Sequence, residues 1–407
     1  MKILRSAAAA ALLSLCVAVA SSAGAQQKEP KRPKLDAQAD TNDAAAYYYF
    51  GTAHLRNEPQ KAADALYWAT RLDPAWADAF YARRIALLLS DLPRLQRYWS
   101  GDRRTIESKE IKQIDSLYLH ALTINPFVSQ TLDRELFEAI ADDFSRRYAE
   151  RTGATASEVR YALDTEMKDW GSGFRAYMAY GEGRYDDALR FYAQAIKEDK
   201  RNGPLHTERG RIFFNRLQLD SALAELTAAI EDMRKRDKKD LVYVYQSKAL
   251  IEQSIAVVHQ RLGHAAEAKE AFGRALQEDL SYSPAHLQLA FMALDAKDTA
   301  TALTELDLVT QLRPDDASAQ FFHGYILANT GNALVAEPHI KKAIQLNPFY
   351  AAPKFVYAFL LESAGFTEEA IATYKAFLAA ASRTDPRRQS AEARLAALTK
   401  PGHQDIH

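Results

Sequence analysis

The 407-residue chain predicts an all-α solenoid of stacked helix pairs. Three observations carry this. The first is a repeat. Ala343 lies five residues before Pro348, Ile340 eight, Ala336 twelve and Gly324 twenty-four. The same template 34 residues earlier lands on Pro314, Val309, Leu306, Ala302 and Ala290, and 34 later on Ala358, Ala370, Tyr374 and Phe377. The second is punctuation. The chain has 16 glycines and 14 prolines, and Asp73-Pro74, Asn125-Pro126, Arg313-Pro314 and Asn347-Pro348 fall where a helix should stop. The residue before proline avoids helical backbone, so each pair marks a helix end. The third is length. A single core stops growing at about 250–300 residues, whereas a solenoid packs each repeat only on its neighbours.

Taken in order, the chain opens with Lys2 and Arg5, followed by an apolar run from Ala7 to Ala20. That run has the length of a signal-peptide core and is short for a membrane span. Ala23-Gly24-Ala25 is a small-x-small cleavage site. Residues 1–25 are therefore expected to be a signal peptide, with an uncleaved anchor as the alternative. Lipidation at Cys16 is disfavoured by the large Leu15 before it. Cys16 is the only cysteine, so the mature chain would hold no disulfide, thiolate metal site or cysteine nucleophile. The formal charge is −1, and removing Lys2 and Arg5 takes it to −3. That is no footprint for nucleic acid. No later stretch has the apolar length of a transmembrane helix.

Residues 26–43 read as a flexible linker, made basic and proline-broken by Lys28, Pro30, Lys31, Arg32, Pro33 and Lys34. Touching an anionic membrane surface is the minority reading of that charge. From Ala44 the pattern is helix, turn, helix. The first repeat gives Gly51, Ala62, Leu66, Ala69 and Pro74. Later ones give Ala176, Ala188, Tyr192 and Ala195, then Gly210, Ala222, Leu226 and Ala229, then Ala256, Ala268, Phe272 and Ala275, before the three named above. In this arrangement the small residues let two helices approach and the large one fills the gap.

On these residues the chain resembles the tetratricopeptide repeat (TPR) family. The resemblance implies a right-handed superhelical solenoid, residues 44–399, whose first helix in each pair lines a concave groove. It departs from the pattern at 78–168. There Arg84 stands where a small residue is expected, and Tyr118, Ala121 and Pro126 look like the end of a second helix. Leu132, Leu136, Ile140 and Phe144 suggest an amphipathic helix outside any clean repeat. A further insertion of 12 residues falls within Met233 to Leu250. Ala391, Leu395 and Leu398 on one side of a helix over Asp385–Leu398 read as the cap a solenoid needs. Residues 400–407 are expected to be a disordered tail.

No catalytic constellation emerges. The chain lacks a His-Glu-x-x-His motif, a Gly-x-Ser-x-Gly elbow and a phosphate-binding glycine loop. Gly181 and Gly183 read as a tight turn. His259 and His264 are five apart, off any common helix face, and His403 and His407 lie in the tail. The carboxylate pairs Asp142-Asp143, Asp186-Asp187 and Glu368-Glu369 are adjacent, so they point apart on a helix. No metal or cofactor is expected.

Two binding candidates remain. By the resemblance, Leu287 and Phe291, Phe321 and Tyr325, and Phe355 and Phe359 line the groove in the last three repeats. Helical spacing alone leaves open whether such residues are groove or core. The strip lacks the Lys/Asn pattern with which some chaperone-binding members of the family clamp a peptide carboxylate. The second candidate is the insertion Ser90–Glu107, with Arg94, Arg97, Tyr98, Trp99, Arg103 and Arg104. Its aromatic residues could equally pack back onto the solenoid while the arginines stay wet. The expectation is an exported, periplasmic, non-enzymatic scaffold that binds a protein or peptide through the groove. The alternatives are an envelope glycan- or peptidoglycan-binding protein using Tyr47, Tyr48, Tyr49, Tyr98 and Trp99, and an enzyme or accessory subunit of an envelope enzyme built on Phe127–Asp169.

Overall fold

A computed structural model describes residues 29–167, 171–198, 202–237 and 246–400. The expected signal peptide, the start of the linker and all but the first residue of the tail lie outside them. All regular structure among the described residues is α-helical. The chain divides into two compact units. The described residues of unit 1 are 51–63 and 80–282; those of unit 2 are 29–50, 64–79 and 283–400.

Helices α1 (Ala44–Ala53), α2 (Pro59–Leu72) and α3 (Ala77–Leu89) contribute residues to both units. Unit 1 continues with α4 (Leu92–Trp99), α5 (Arg103–Ile106), α6 (Lys109–Ile124), α7 (Asp133–Thr152) and α8 (Ala156–Met167). Three regular pairs follow: α9 (Ser172–Gly181) with α10 (Tyr185–Glu198), α11 (Gly203–Asn215) with α12 (Leu219–Asp237), and α13 (Gln246–Leu262) with α14 (Ala265–Glu278). Unit 2 has α15 (Ser283–Asp295) with α16 (Thr299–Leu312), α17 (Ala317–Asn329) with α18 (Ala333–Leu346), α19 (Ala351–Ser363) with α20 (Thr367–Ala380), and α21 (Arg388–Leu398). We call the first helix of each pair A and the second B.

The punctuation read from sequence is where the helices end. Helices α2, α6, α16 and α18 stop two residues before Pro74, Pro126, Pro314 and Pro348. Asp316 starts α17 by accepting from the Ser318 and Ala319 amides at 2.9 and 3.1 Å. Inside each pair the turn needs one left-handed residue. Gly183, Gly263, Gly331 and Gly365 supply it with φ between +74° and +83°, while Leu217 and Lys297 adopt it without being glycine. These positions recur every 34 residues, except that 217 to 263 is longer by 12. The 12-residue insertion therefore lies between those two turns, lengthening α12 and α13 around 238–245, which are outside the described residues.

Packing explains why the template uses small residues. The A and B template residues Ala290, Ala302, Leu306, Ala336, Ile340, Ala343, Ala358, Ala370 and Tyr374 are all fully buried. A Cβ on Gly324 would meet Ile340 at 2.8 Å, and one on Gly210 would meet Leu226 at 3.0 Å. Ala391 is buried, and Leu395 and Leu398 pack with it against Tyr374 and Phe377, so α21 covers the apolar end of the last pair.

A second, polar repeat was not anticipated. His206 bridges Glu225 at 2.7 Å, His286 bridges Glu305 at 2.6 Å, and Gln320 bridges His339 at 2.8 Å. Each bridge joins helix A to helix B across 19 residues. Beside the last one, the His323 ring sits 4.2 Å from that of His339, and burial pulls His323 down to about 4.

Two expectations change. In α7 the buried side is Leu136, Phe137, Ala141 and Ser145, and Phe144 is exposed. A four-residue step drifts around a 3.6-residue helix, so the series begun at Leu132 leaves the core by Phe144. The linker expected at 26–43 is described from residue 29, and it is not solvated throughout. Lys31 and Lys34 are solvated, but Arg32 and Leu35 turn onto an aromatic cluster of unit 2.

Candidate functional site

In unit 2 the six strip residues lie on α15, α17 and α19, but at different depths. Phe321 is buried among Ile340, Ala343, Ala352 and Val356, with Tyr350 edge-on at 5.3 Å. Phe355 turns toward Tyr374 and Phe377, at 6.1 and 5.3 Å. Both hold neighbouring helices together. Tyr325 and Phe359, one turn further along, remain 42% and 41% exposed. Leu287 and Phe291 are half-buried, and Phe291 meets Phe322 edge-on at 5.5 Å. The Arg394 guanidinium of α21 lies 4.7 Å from the Phe359 ring and is held by Glu362 at 3.0 Å. One face of Phe359 is thus already covered by a cation. Tyr325 and Phe359 are the most exposed of the strip residues.

The same face of unit 1 is filled by the chain itself. Between α6 and α7, residues 125–132 run against α9 and α11. Phe127 stacks on Phe214 at 3.6 Å and 11°. Arg211 donates to the Val128 carbonyl at 3.3 Å, and the Gln130 amide donates to the Tyr180 hydroxyl at 3.4 Å. Gln130 also donates to the Tyr118 hydroxyl, and Tyr81 to Asp133. Tyr177 reaches Asp133 too.

Arg84 explains how this degenerate repeat works. In place of the small template residue, its side chain runs to Asp115 at 2.9 Å and Asp133 at 3.9 Å, and its second nitrogen donates to the Tyr98 hydroxyl at 3.2 Å. Burial opposes the Arg84 charge, but Asp115, Tyr98 and Asp133 outweigh it and keep the guanidinium well above its ordinary value. Burial raises Asp133 above the usual carboxylate range despite Arg84. A buried charge of this kind persists only with such partners.

The insertion is split in the same way. Tyr98 points inward to Asp115, and Trp99 packs near Tyr177 and Phe137, at 6.4 and 6.5 Å. Arg94 is committed to Glu110 and to the Leu87 carbonyl at 3.1 Å, whereas Arg97 is exposed. Arg94, Arg97 and Arg104 line a shallow depression of about 600 Å³ with Asp102, Thr105, Ser108 and Glu110.

Of the aromatic residues offered for glycan binding, Tyr47 is buried, Tyr48 lies against Trp76 at 4.5 Å, and Tyr49 is exposed. Two of the adjacent carboxylate pairs diverge into separate ion pairs. Asp142 takes Arg56 and Arg160, Asp143 takes Arg146 and Arg147, Asp186 takes Arg216, and Asp187 takes Arg184 and Arg190. Among the described residues no three His, Cys, Asp or Glu side chains converge as a metal site would need. His403 and His407 lie outside them. No described helix is long and apolar enough to cross a membrane.

Sequence reasoning missed the self-filled face of unit 1 and the packed strap at 29–43. The available signal for the first was Arg84 in a small-residue slot, which forces a polar partner from elsewhere in the chain.

No family model matches the sequence, and no curated protein does. Among solved structures the chain is similar to YrrB, a TPR protein with an unusual peptide-binding site, at 19% identity and a TM-score of 0.39 over 50% of this chain and 96% of that one. It is similar to MamA at 18% and 0.34, over 42% and 93%. Yeast Tom70 aligns at 13% and 0.42, over 88% of each chain. On its own period, small-residue contacts and helix pairing, this chain is an α solenoid of TPR-like helix pairs.

Proposed function

We propose that the protein is an exported, periplasmic, non-enzymatic scaffold that binds a protein or peptide partner on the A-helix face of unit 2. One contrast supports this reading. The equivalent face of unit 1 is occupied by the chain's own residues 125–132, whereas in unit 2 Tyr325 and Phe359 stand 42% and 41% exposed over an aromatic floor. Half-exposed aromatic rings on a rigid helical frame are what an apolar anchor of a partner would bury. Each ring would gain a few kcal/mol at most, so the partner must engage several of them. Export rests on the basic start, the apolar run and the Ala23-Gly24-Ala25 site.

A photocrosslinking residue at position 325 tests the surface, with position 334 as control. Leu334 is 89% exposed and lies on a B helix. A partner captured at 325 and absent at 334 is expected. Equal capture at both, or at neither, rejects the surface. Amino-terminal sequencing of the periplasmic protein should begin at Gln26, and recovery only from the cytoplasm rejects export.

A further inference from the structure

The Arg32 guanidinium lies 4.5 Å from the Trp68 ring, 5.4 Å from Phe349 and 5.9 Å from Tyr47. Trp68 and Phe349 meet edge to face at 4.8 Å, so three aromatic walls surround one cation. A nitrogen of Arg32 donates to the Thr41 carbonyl at 2.7 Å. The Trp68 indole N–H donates to the Pro30 carbonyl at 3.1 Å, which fixes the backbone just before the arginine. Leu35 packs against the same cluster. Farther along, Asp40 accepts from the Arg383 amide at 2.5 Å, and Asn42 donates to the Ala379 carbonyl at 2.8 Å.

Bonds outside the strap also place the walls, although Arg71 meets Glu29 of the strap at 3.5 Å as well. Asn347 donates to the Arg71 carbonyl at 2.7 Å, and Arg71 donates to the Leu346 carbonyl at 3.3 Å. Those bonds join the end of α2 to the turn after α18, and so bring Trp68 beside Phe349. An aromatic enclosure with a backbone carbonyl acceptor suits a planar guanidinium better than an ammonium, because the guanidinium stacks and is weakly hydrated.

We propose that Tyr47, Trp68 and Phe349, with the Thr41 carbonyl, form an arginine-recognition site, which the chain fills with its own Arg32, so that residues 29–35 are a displaceable strap. The ligand class is an extended peptide carrying arginine followed by proline, as in Lys31-Arg32-Pro33. The strap competes with it in cis.

The test uses the full chain and a synthetic peptide spanning Glu29–Leu35. Arg32→Ala vacates the enclosure while Asp40 and Asn42 still hold the segment that carries Thr41. By calorimetric titration the peptide should bind the Arg32→Ala chain about tenfold tighter, or more, than the wild type. A peptide with alanine in place of the arginine should not bind. Hydrogen exchange at 29–35 should rise in the variant, and exchange at α15–α16 should not. Equal binding to both chains, no binding to the variant, or equal binding of the alanine peptide overturns the proposal. Should Arg32→Ala fail to fold, Arg32→Lys carries the test. It keeps the charge without the stacking plane and should raise exchange at 29–35; unchanged exchange there overturns the proposal.

Discussion

Replacing Gly324 with alanine sets two effects against each other. Inside a helix this change ordinarily gains about 1 kcal/mol, because alanine loses less backbone freedom on folding. Here the new Cβ would stand 2.8 Å from two carbons of Ile340 and 3.1 Å from the Ala336 carbonyl oxygen. Overpacking of that kind costs about 1–3 kcal/mol. The expected balance is a net loss of up to about 2 kcal/mol. Gly273, in the middle of α14, is the matched control, since a Cβ there meets nothing within 4 Å. Gly273→Ala should therefore stabilise by about 0.5–1 kcal/mol. Guanidinium denaturation measures both, and hydrogen exchange assigns each change to its helix pair. In a double-mutant cycle, Ile340→Ala should cost less in the Gly324→Ala background than alone. If Gly324→Ala stabilises as much as Gly273→Ala, the reason given for the small residue of the template is wrong.

Acid should loosen unit 2 through His323. Its folded value of about 4 lies below an ordinary 6.5, so its contribution is present above 6.5 and is lost as pH falls toward 4. The expected loss is about 2 kcal/mol at pH 5, and a His323→Asn chain should show less of it in urea denaturation at pH 7 and pH 5. Arg84→Met should destabilise unit 1 by about 3–5 kcal/mol by leaving Asp115 and Asp133 buried without their cation. A denaturation midpoint unchanged from wild type would remove Arg84 from the core of unit 1. Lys297→Gly should gain about 0.5–1 kcal/mol by relieving a left-handed backbone at φ 61°. Thermal melting reads this directly, and a lower melting temperature contradicts it.

The repeat was legible because it is local. Ala336 and Ile340 meet Gly324 within one helix pair, so their spacing alone announces the contact. The proline stops and the Ala391–Leu395 cap are local in the same sense. Depth within a face was not legible. Phe321 and Tyr325 are one turn apart and equally aromatic, yet one is core and the other half-exposed, because Ala352 and Val356 of the next repeat decide which ring is covered. Pattern assigns a residue to a side of a helix, and the neighbouring element sets its exposure. The two self-contacts were hidden for a stronger reason. Arg32 finds Phe349, and Val128 finds Arg211, across stretches of chain with no shared periodicity. A run of lysine, arginine and proline looks like a tether until the aromatic walls it meets are in place.

The connector lodged in unit 1 changes how that unit must fold. Repeat arrays commonly nucleate anywhere and grow one neighbour at a time. Here Val128 is tied to Arg211, Gln130 to Tyr180, and Gln253 to the Thr123 carbonyl, so repeats distant along the chain share one set of bonds. Helices α9 to α13 cannot reach their final state before the connector ahead of them arrives. Loop-closure entropy must be overcome before those bonds form, which slows assembly and ties the repeats into a single cooperative transition. Gln253→Ala should then raise hydrogen exchange at the end of α6, although that helix lies far ahead of α13 in the chain.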